Sequence, residues 1–101
     1  MKHWIIILLV TLSTVGHASR LKAQVQFNLT DQSTEAFVPF VVVVPHTFNG
    51  QFVRFVHPRN GKSAVAKVIK KEGDHYRTNP SLANAIGIES TVARVFVEDV
   101  Y

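Results

Sequence analysis

Cysteine is absent from this chain of 101 residues, and its absence excludes two kinds of covalent support. Without cysteine there can be no disulfide, which is the usual reinforcement of a small secreted domain. A lipoprotein anchor is excluded for the same reason, because it is built on a cysteine that follows the leader. The domain must therefore be held by apolar packing, and its many valine, isoleucine, phenylalanine and leucine residues are sufficient for a dense β core.

Several catalytic and ligand-binding motifs are missing as well. There is no glycine-rich phosphate-binding loop, and no serine stands in the Gly-x-Ser-x-Gly context of a nucleophile elbow, which excludes a serine hydrolase. Three histidines follow the N-terminal region, and their spacing fits no metal-binding motif: His46, His57 and His75. We therefore expect neither a metal ion nor a cofactor.

The N-terminal residues have the layout of a secretory signal peptide. A short basic start precedes an apolar run from Trp4 to Val15, and small and polar residues follow it. The run covers about 12 residues, which is short of the ~20 that a spanning helix needs. Cleavage after Ala18 fits the small-residue rule, whereas cleavage after Ala23 starts the domain where the first strand pattern begins. We predict a signal peptide over residues 1–23, a single domain over residues 24–101, and no membrane association after cleavage.

The net charge gives little support to a nucleic-acid partner. The chain has 11 lysines and arginines against 7 aspartates and glutamates. Lys2, Arg20 and Lys22 belong to the predicted leader, so the remainder is close to neutral, whereas nucleic-acid binders usually keep a strongly basic surface. We expect no nucleic acid. The local excess of cations between residues 54 and 77 is either the solvated face of a hairpin or a patch for an anionic polymer.

Strand patterns dominate the rest of the chain. Apolar and polar residues alternate from Gln24 to Leu29, which predicts a half-buried strand. The continuous apolar run from Ala36 to Val44 predicts a strand buried on both faces. Two further apolar runs flank Asn60-Gly61, a pair suited to a type I′ hairpin turn. The predicted strands are 24–29, 36–44, 52–56, 64–69 and 91–100.

One short helix is predicted between residues 79 and 87. Asn79 can cap it, Pro80 suits the first helical position, and Gly87 suits a left-handed exit. The polar stretch over residues 70–79 precedes it and is predicted to be a loop. The helical residues spaced to face the sheet are Leu82, Ala85 and Ile86.

Two short pieces, Asn60-Gly61-Lys62-Ser63 and Ile86-Gly87-Ile88, stand in a distinctive order of strand, turn, strand, loop, helix and closing strand. In this order and spacing, residues 50–100 resemble the RlpA-like (rare lipoprotein A) double-psi β-barrel family. The resemblance implies a mainly β fold, a small six-stranded double-psi β-barrel with one short helix. It also implies a secreted or periplasmic protein of the bacterial cell envelope, with peptidoglycan or another envelope glycan as its partner.

The same resemblance points to a site that departs from the family. The motif that carries the family's catalytic acid aligns with residues 69–73, and Lys70 stands where the aspartate should be. Lysine is charged at neutral pH and has little driving force for proton transfer. We therefore predict a non-catalytic domain that binds peptidoglycan or glycan. Its ligand-binding residues would be Lys70, Lys71, Tyr76 and Arg77, because aromatic faces stack on sugar rings and cations pair with the carboxylates of peptide stems.

Two alternatives remain open. One is a peptidoglycan lytic transglycosylase, in which a displaced acid, Glu72 or Asp74, acts with His46, the loose match to the family's active-cleft histidine. The other is a protein-interaction module of the envelope. Residues 24–45 have no counterpart in the family, so a truncated barrel that pairs with another chain through an exposed edge also stays open.

Overall fold

The computed structural model describes residues 20–100, so the predicted signal peptide lies almost entirely outside the described residues. Among the described residues, no helix is long and apolar enough to cross a membrane. They form six strands and one helix. In chain order these are β1 Leu21–Gln26, β2 Phe40–Val44, β3 Phe52–Val56, β4 Ser63–Lys71, β5 Tyr76–Thr78, α1 Pro80–Ile86 and β6 Val92–Val100.

The six strands close into a barrel in the order β1-β5-β2-β4-β3-β6. The β1–β5 and β2–β4 pairs are parallel, and the other four pairs are antiparallel. The predicted mainly β fold with a six-stranded barrel and one short helix is confirmed. The truncated-barrel alternative is wrong, because β1 and β2 each pair on both sides and complete the closure.

The first two strand patterns account for most of the core on one side of the barrel. Val25, Phe27 and Leu29 are all buried, as the period-two pattern predicts. Val41 to Val44 are all buried, which confirms a strand covered on both faces for the second half of the predicted range 36–44. The first half is wrong, because the strand begins at Phe40 and Phe37 is exposed. Alternate β2 residues divide between the central core and a small second cluster made of Leu29, Val41 and Val43. Residues 31–35 line a pocket beside Val41, so this loop covers the outer face of β2.

The predicted hairpin forms, but its turn differs from the prediction. Strands β3 and β4 pair in antiparallel register from Phe52↔Lys67 to Val56↔Ser63, and residues 57–62 connect them. Gly61 has a φ of 75°, whereas Asn60 does not take positive φ, so this is no type I′ turn. The Asn60 side chain instead forms two hydrogen bonds with the backbone. It accepts a hydrogen bond from the Lys62 backbone N–H (2.7 Å) and donates one to the Ile86 carbonyl (3.2 Å), which ties the hairpin to α1.

Helix α1 has the predicted ends but not quite the predicted face. Pro80 occupies the first turn, and Gly87 leaves the helix in the left-handed region with a φ of 85°. The residues that face the core are Leu82, Ala83 and Ile86, whereas Ala85 is exposed. Asn79 has the extended backbone of an N-cap, but its side chain makes no capping hydrogen bond.

The Asn79 side chain instead joins three parts of the barrel. Its Oδ1 accepts a hydrogen bond from the Val41 N–H (2.8 Å), and its Nδ2 donates to the carbonyls of Leu29 (3.0 Å) and Asp31 (2.8 Å). The neighbouring Thr78 hydroxyl donates to the Val41 carbonyl at 2.7 Å. These buried bonds hold the ends of β1 and β5 against the start of β2, as buried polar groups require.

The prediction of a loop over residues 70–79 is wrong. Strand β4 continues to Lys71, and β5 occupies Tyr76–Thr78 between β1 and β2. Burial alternates along β5, where Tyr76 and Thr78 are buried and Arg77 is half-buried. Three residues give too short a pattern to separate from polar loop sequence, and the strand is stabilised by ladder partners on both sides rather than by its own composition.

Strand β1 begins at Leu21, before the predicted domain start at Gln24. Leu21 pairs with Val97 and Ala23 with Val95, while the Arg20 guanidinium forms an ion pair with Glu98. Cleavage after Ala18 would leave β1 whole. Cleavage after Ala23 would remove its first half.

Candidate functional site

The residues predicted for the site converge at one end of the barrel because of the strand directions. Strands β2 and β4 run parallel and finish at this end, and β5 starts there in the opposite direction. Two backbone hydrogen bonds join the connecting loops, from the Glu72 N–H to the Val44 carbonyl (2.9 Å) and from the His46 N–H to the Gly73 carbonyl (3.1 Å). We call this region, formed by residues 45–51 and 70–77, the site end.

A β-bulge presents the lysines at the site end. The β2–β4 register shifts between Val42 and Val43, so that Val42 lies opposite Val68 and Val43 lies opposite Lys70. The extra residue, Ile69, interrupts the alternation of the strand. As a result Ile69, Lys70 and Lys71 are all exposed in succession, where a regular strand would turn every second side chain inward.

Glu72, one of the two candidate acids, is paired with Lys70. Its Oε2 lies 3.0 Å from Lys70 Nζ, and both side chains are more than half exposed. The hydrogen bond and charge of Lys70 lower the pKa of Glu72 below its ordinary value of 4.5, with smaller contributions from Arg77 and His46. Glu72 is therefore ionised at neutral pH, whereas a general acid must hold its proton at the working pH.

Asp74, the other candidate acid, is 88% exposed and its Oδ1 lies 3.1 Å from Nε2 of the adjacent His75. Asp74 therefore lies in water and not in the apolar pocket that surrounds the catalytic acid of a glycosidase such as lysozyme. His46 is exposed as well, and its effect on the pKa of Glu72 places the two side chains near each other. The site end thus brings His46 and Glu72 together, but it leaves the side chains of both candidate acids more than half exposed.

Two cations at the site end have no carboxylate within 4 Å among residues 20–100. Lys71 is exposed at the end of β4. Arg77 is half-buried on β5, and its Nε donates to Asn28 Oδ1 at 3.4 Å, which leaves most of the guanidinium for other partners. The two carboxylates of this stretch are already paired, Glu72 with Lys70 and Asp74 with His75. Lys71 and Arg77 are therefore the two cations of the site end that no carboxylate of residues 20–100 contacts.

Tyr76 does not serve as the predicted sugar-stacking aromatic. It is only 8% exposed, because it belongs to β5 and its ring points into the core. The ring packs edge-to-face against Phe48 (centroids 6.2 Å apart) and Phe55 (6.4 Å). Burial, and to a lesser degree the charge of Asp99, raises the pKa of Tyr76 above its ordinary value of 10.0. No face of the ring is left for a sugar.

A pocket of about 230 Å³ at the site end contains a carboxylate that the sequence reasoning missed. Asp99 and Tyr76 contribute its polar groups together with Thr47 and Asn49, and apolar side chains form the remaining wall. The signal was present in β6, where Val95 and Val97 are buried, because period two places Asp99 on the same inner face. The lining residues are Leu21, Thr47, Phe48, Asn49, Tyr76, Val97 and Asp99.

A larger pocket, of about 610 Å³, lies beneath residues 29–39 and beside the start of α1. Its central polar groups are already engaged within the chain. The Ser33 hydroxyl forms hydrogen bonds with backbone groups of its own loop, and the Asn79 amide forms the hydrogen bonds with Val41 and Leu29 described above. This pocket contains none of the residues predicted for the site.

No group of three or more His, Asp or Glu side chains within residues 20–100 could hold a metal ion. No protein-family model matches the chain, and no curated protein matches it. The resemblance to the RlpA-like family therefore rests on residues 60–63 and 86–88 and on the order of the elements around them.

Proposed function

We propose that this protein is a secreted, RlpA-like domain of the bacterial cell envelope that binds peptidoglycan or a related glycan without cleaving it. The observation that carries the proposal is the Lys70–Glu72 ion pair, which stands where the family resemblance places a catalytic acid. The pair supplies a fixed anion and a fixed cation in place of a transferable proton.

Cleavage of a glycosidic bond needs an acid that protonates the leaving oxygen, and enzymes raise the pKa of that acid by burial. At the site end the opposite shift occurs, because Lys70 lowers the pKa of Glu72 and both side chains are exposed. Lys70 itself is engaged in the ion pair with Glu72. These features favour binding over catalysis.

The unneutralised cations favour an anionic ligand. Lys71 and Arg77 can each pair with a carboxylate of a peptide stem, and the planar guanidinium of Arg77 can do so with two hydrogen bonds. Each such exposed pair contributes only about 0.2–1 kcal/mol, so binding to a repeating polymer would depend on several weak contacts at once.

The test is co-sedimentation of the protein with purified peptidoglycan sacculi, with analysis of sugar fragments in the supernatant. We expect the protein in the pellet, no released muropeptides, and retention that falls with salt. The double variant Lys71→Gln, Arg77→Gln should weaken retention about two- to thirtyfold, from two lost pairs of the size given above. Lys62→Gln is the matched control, because Lys62 precedes β4 at the opposite end of the barrel.

The lytic transglycosylase is the competing function, and the proximity of His46 to Glu72 is the observation in its favour. Release of muropeptides by the protein, abolished in Glu72→Gln with the fold intact, would establish it in place of the proposal.

The interaction-module alternative has a separate observation in its favour, since Phe37 is 94% exposed on the loop before β2. If the sacculi do not retain the protein and an envelope protein co-purifies with it in a Phe37-dependent manner, binding to peptidoglycan is the wrong function.

A further inference from the structure

The pocket beside Asp99 has the composition of a site for a small cationic group. One side is apolar, formed by Leu21, Phe48 and Val97, and the Asp99 carboxylate closes another side. A second pocket of about 440 Å³ reaches the same carboxylate from the loop over residues 49–52. A ligand can thus approach Asp99 along an apolar wall and meet a negative charge.

The Asp99 carboxylate lies against the Gly50 backbone, and no cation neutralises it within residues 20–100. Gly50 packs so closely against it that a Cβ at this position would overlap Oδ1 and come within 3.1 Å of Cγ. No cationic side chain among residues 20–100 lies within 4 Å of it, and none lines either pocket. Its charge is felt inside the pocket, since it contributes to the raised pKa of Tyr76. A partly buried, unpaired carboxylate is costly unless a partner neutralises it.

We propose that this pocket binds an alkylammonium group, a primary ammonium carried on an apolar stem. The stem would lie along the apolar wall, and the ammonium would donate charge-assisted hydrogen bonds to Asp99. The side chains of Phe48 and Tyr76, whose ring centroids are 6.2 Å apart, border the same space and add to its apolar wall. A neutral sugar cannot neutralise the Asp99 carboxylate, whereas an ammonium group forms a charge-assisted hydrogen bond with it.

The pocket extends the proposed function but does not depend on it. Lys71 and Arg77 lie at the same end of the barrel, so a peptide stem that carries both a carboxylate and an amine could contact both places at once. The small-molecule test below is independent of the sacculus test. If sacculi bind and the amine does not, only the pocket proposal is wrong.

The test is an NMR titration of the ¹⁵N-labelled protein with n-butylammonium chloride, in which n-butanol is the neutral control of matched shape and sodium chloride the salt control. We expect saturable shifts of the Phe48, Asn49 and Asp99 amides with the amine and much smaller ones with the alcohol. Asp99→Asn, which keeps the side-chain shape, should weaken amine binding at least about tenfold. Glu89→Gln, an exposed carboxylate removed elsewhere, should leave it unchanged.

Three results would overturn the proposal: equal binding of the alcohol, unchanged amine binding by Asp99→Asn, or saturable shifts of the same amides with N-acetylglucosamine. The comparison of amine with alcohol uses the unaltered protein, so it decides the matter even if Asp99→Asn does not fold.

Discussion

Replacement of Asn79 by alanine should destabilise the barrel more than any other removal of a single polar side chain described above. The side chain is 7% exposed and makes three hydrogen bonds, to Val41, Leu29 and Asp31. Its loss would leave a buried N–H on β2 and two carbonyls after β1 without their partners, in the region where three elements meet.

The magnitude follows from these three bonds. Each contributes about 1 kcal/mol net, and a buried group left without a partner costs about 1–3 kcal/mol. The usual loss of about 1 kcal/mol for an N-cap substitution does not enter, because Asn79 makes no capping hydrogen bond. We expect a loss of about 3 kcal/mol. A domain of this size has about 4–12 kcal/mol of stability, so the variant should still fold.

Urea unfolding followed by circular dichroism measures the effect. With a slope of about 1 kcal/mol per molar urea, the midpoint should fall by about 2–3 M. Asn84→Ala is the matched control, since Asn84 is exposed on α1 and alanine there can only improve helix propensity. If Asn79→Ala loses less than about 1 kcal/mol of unfolding free energy while Asn84→Ala is unchanged, these three hydrogen bonds do not stabilise the barrel as proposed.

Three further predictions concern the site end. Gly50→Ala should lower the thermal midpoint by several degrees, because Gly50 has a φ of 144° and its Cβ would overlap Asp99; an unchanged midpoint would refute this close packing. Lys70→Gln should raise the pKa of Glu72 toward 4.5, measured by NMR of the side-chain carboxyl. A carboxyl whose pKa is lowered on folding stabilises the folded state above its unfolded pKa, and this contribution is lost as the pH falls through the folded pKa. The difference in unfolding free energy between the unaltered protein and Lys70→Gln should therefore narrow in acid, and a constant difference from neutral pH to pH 3 would contradict the prediction. Folding raises the pKa of Tyr76 above the value of 10.0 that it has in the unfolded chain, so the folded state favours the protonated hydroxyl. The free energy of unfolding should therefore decline as the pH rises past 10.0 toward the pKa of the folded protein. Tyr76→Phe should decline less, and an equal decline would refute the assignment.

The parts of the fold that the sequence predicted are those with long local patterns. Strand β2 could be read from an unbroken run of valines, and α1 from Pro80 and Gly87 at its two ends. Strand β5 could not be read, because its three residues include Arg77 and its stability comes from β1 and β2 on either side. A strand that is stabilised by partners distant in sequence need not show a periodic pattern of apolar residues in its own sequence.

The site was partly predictable for a similar reason. His46, Lys70, Glu72 and Arg77 lie near one another because two parallel strands, β2 and β4, end at the same end of the barrel. The sequence could not show that Tyr76 turns inward, which depends on the register of β5 against β2. Asp99 was overlooked because an acid near a strand end looks solvated, although the alternation through Val97 places it inside.

The pairing of β1 with β6 has a consequence for how this chain reaches its folded state. The seam of the barrel joins residues 21–26 to residues 92–97, which are far apart in sequence, and such long-range pairing forms slowly. The barrel cannot be sealed before β6 has been synthesised. A chain whose first strand lacks one of its two ladder partners until its last strand arrives stays open for longer, with one edge of that first strand exposed.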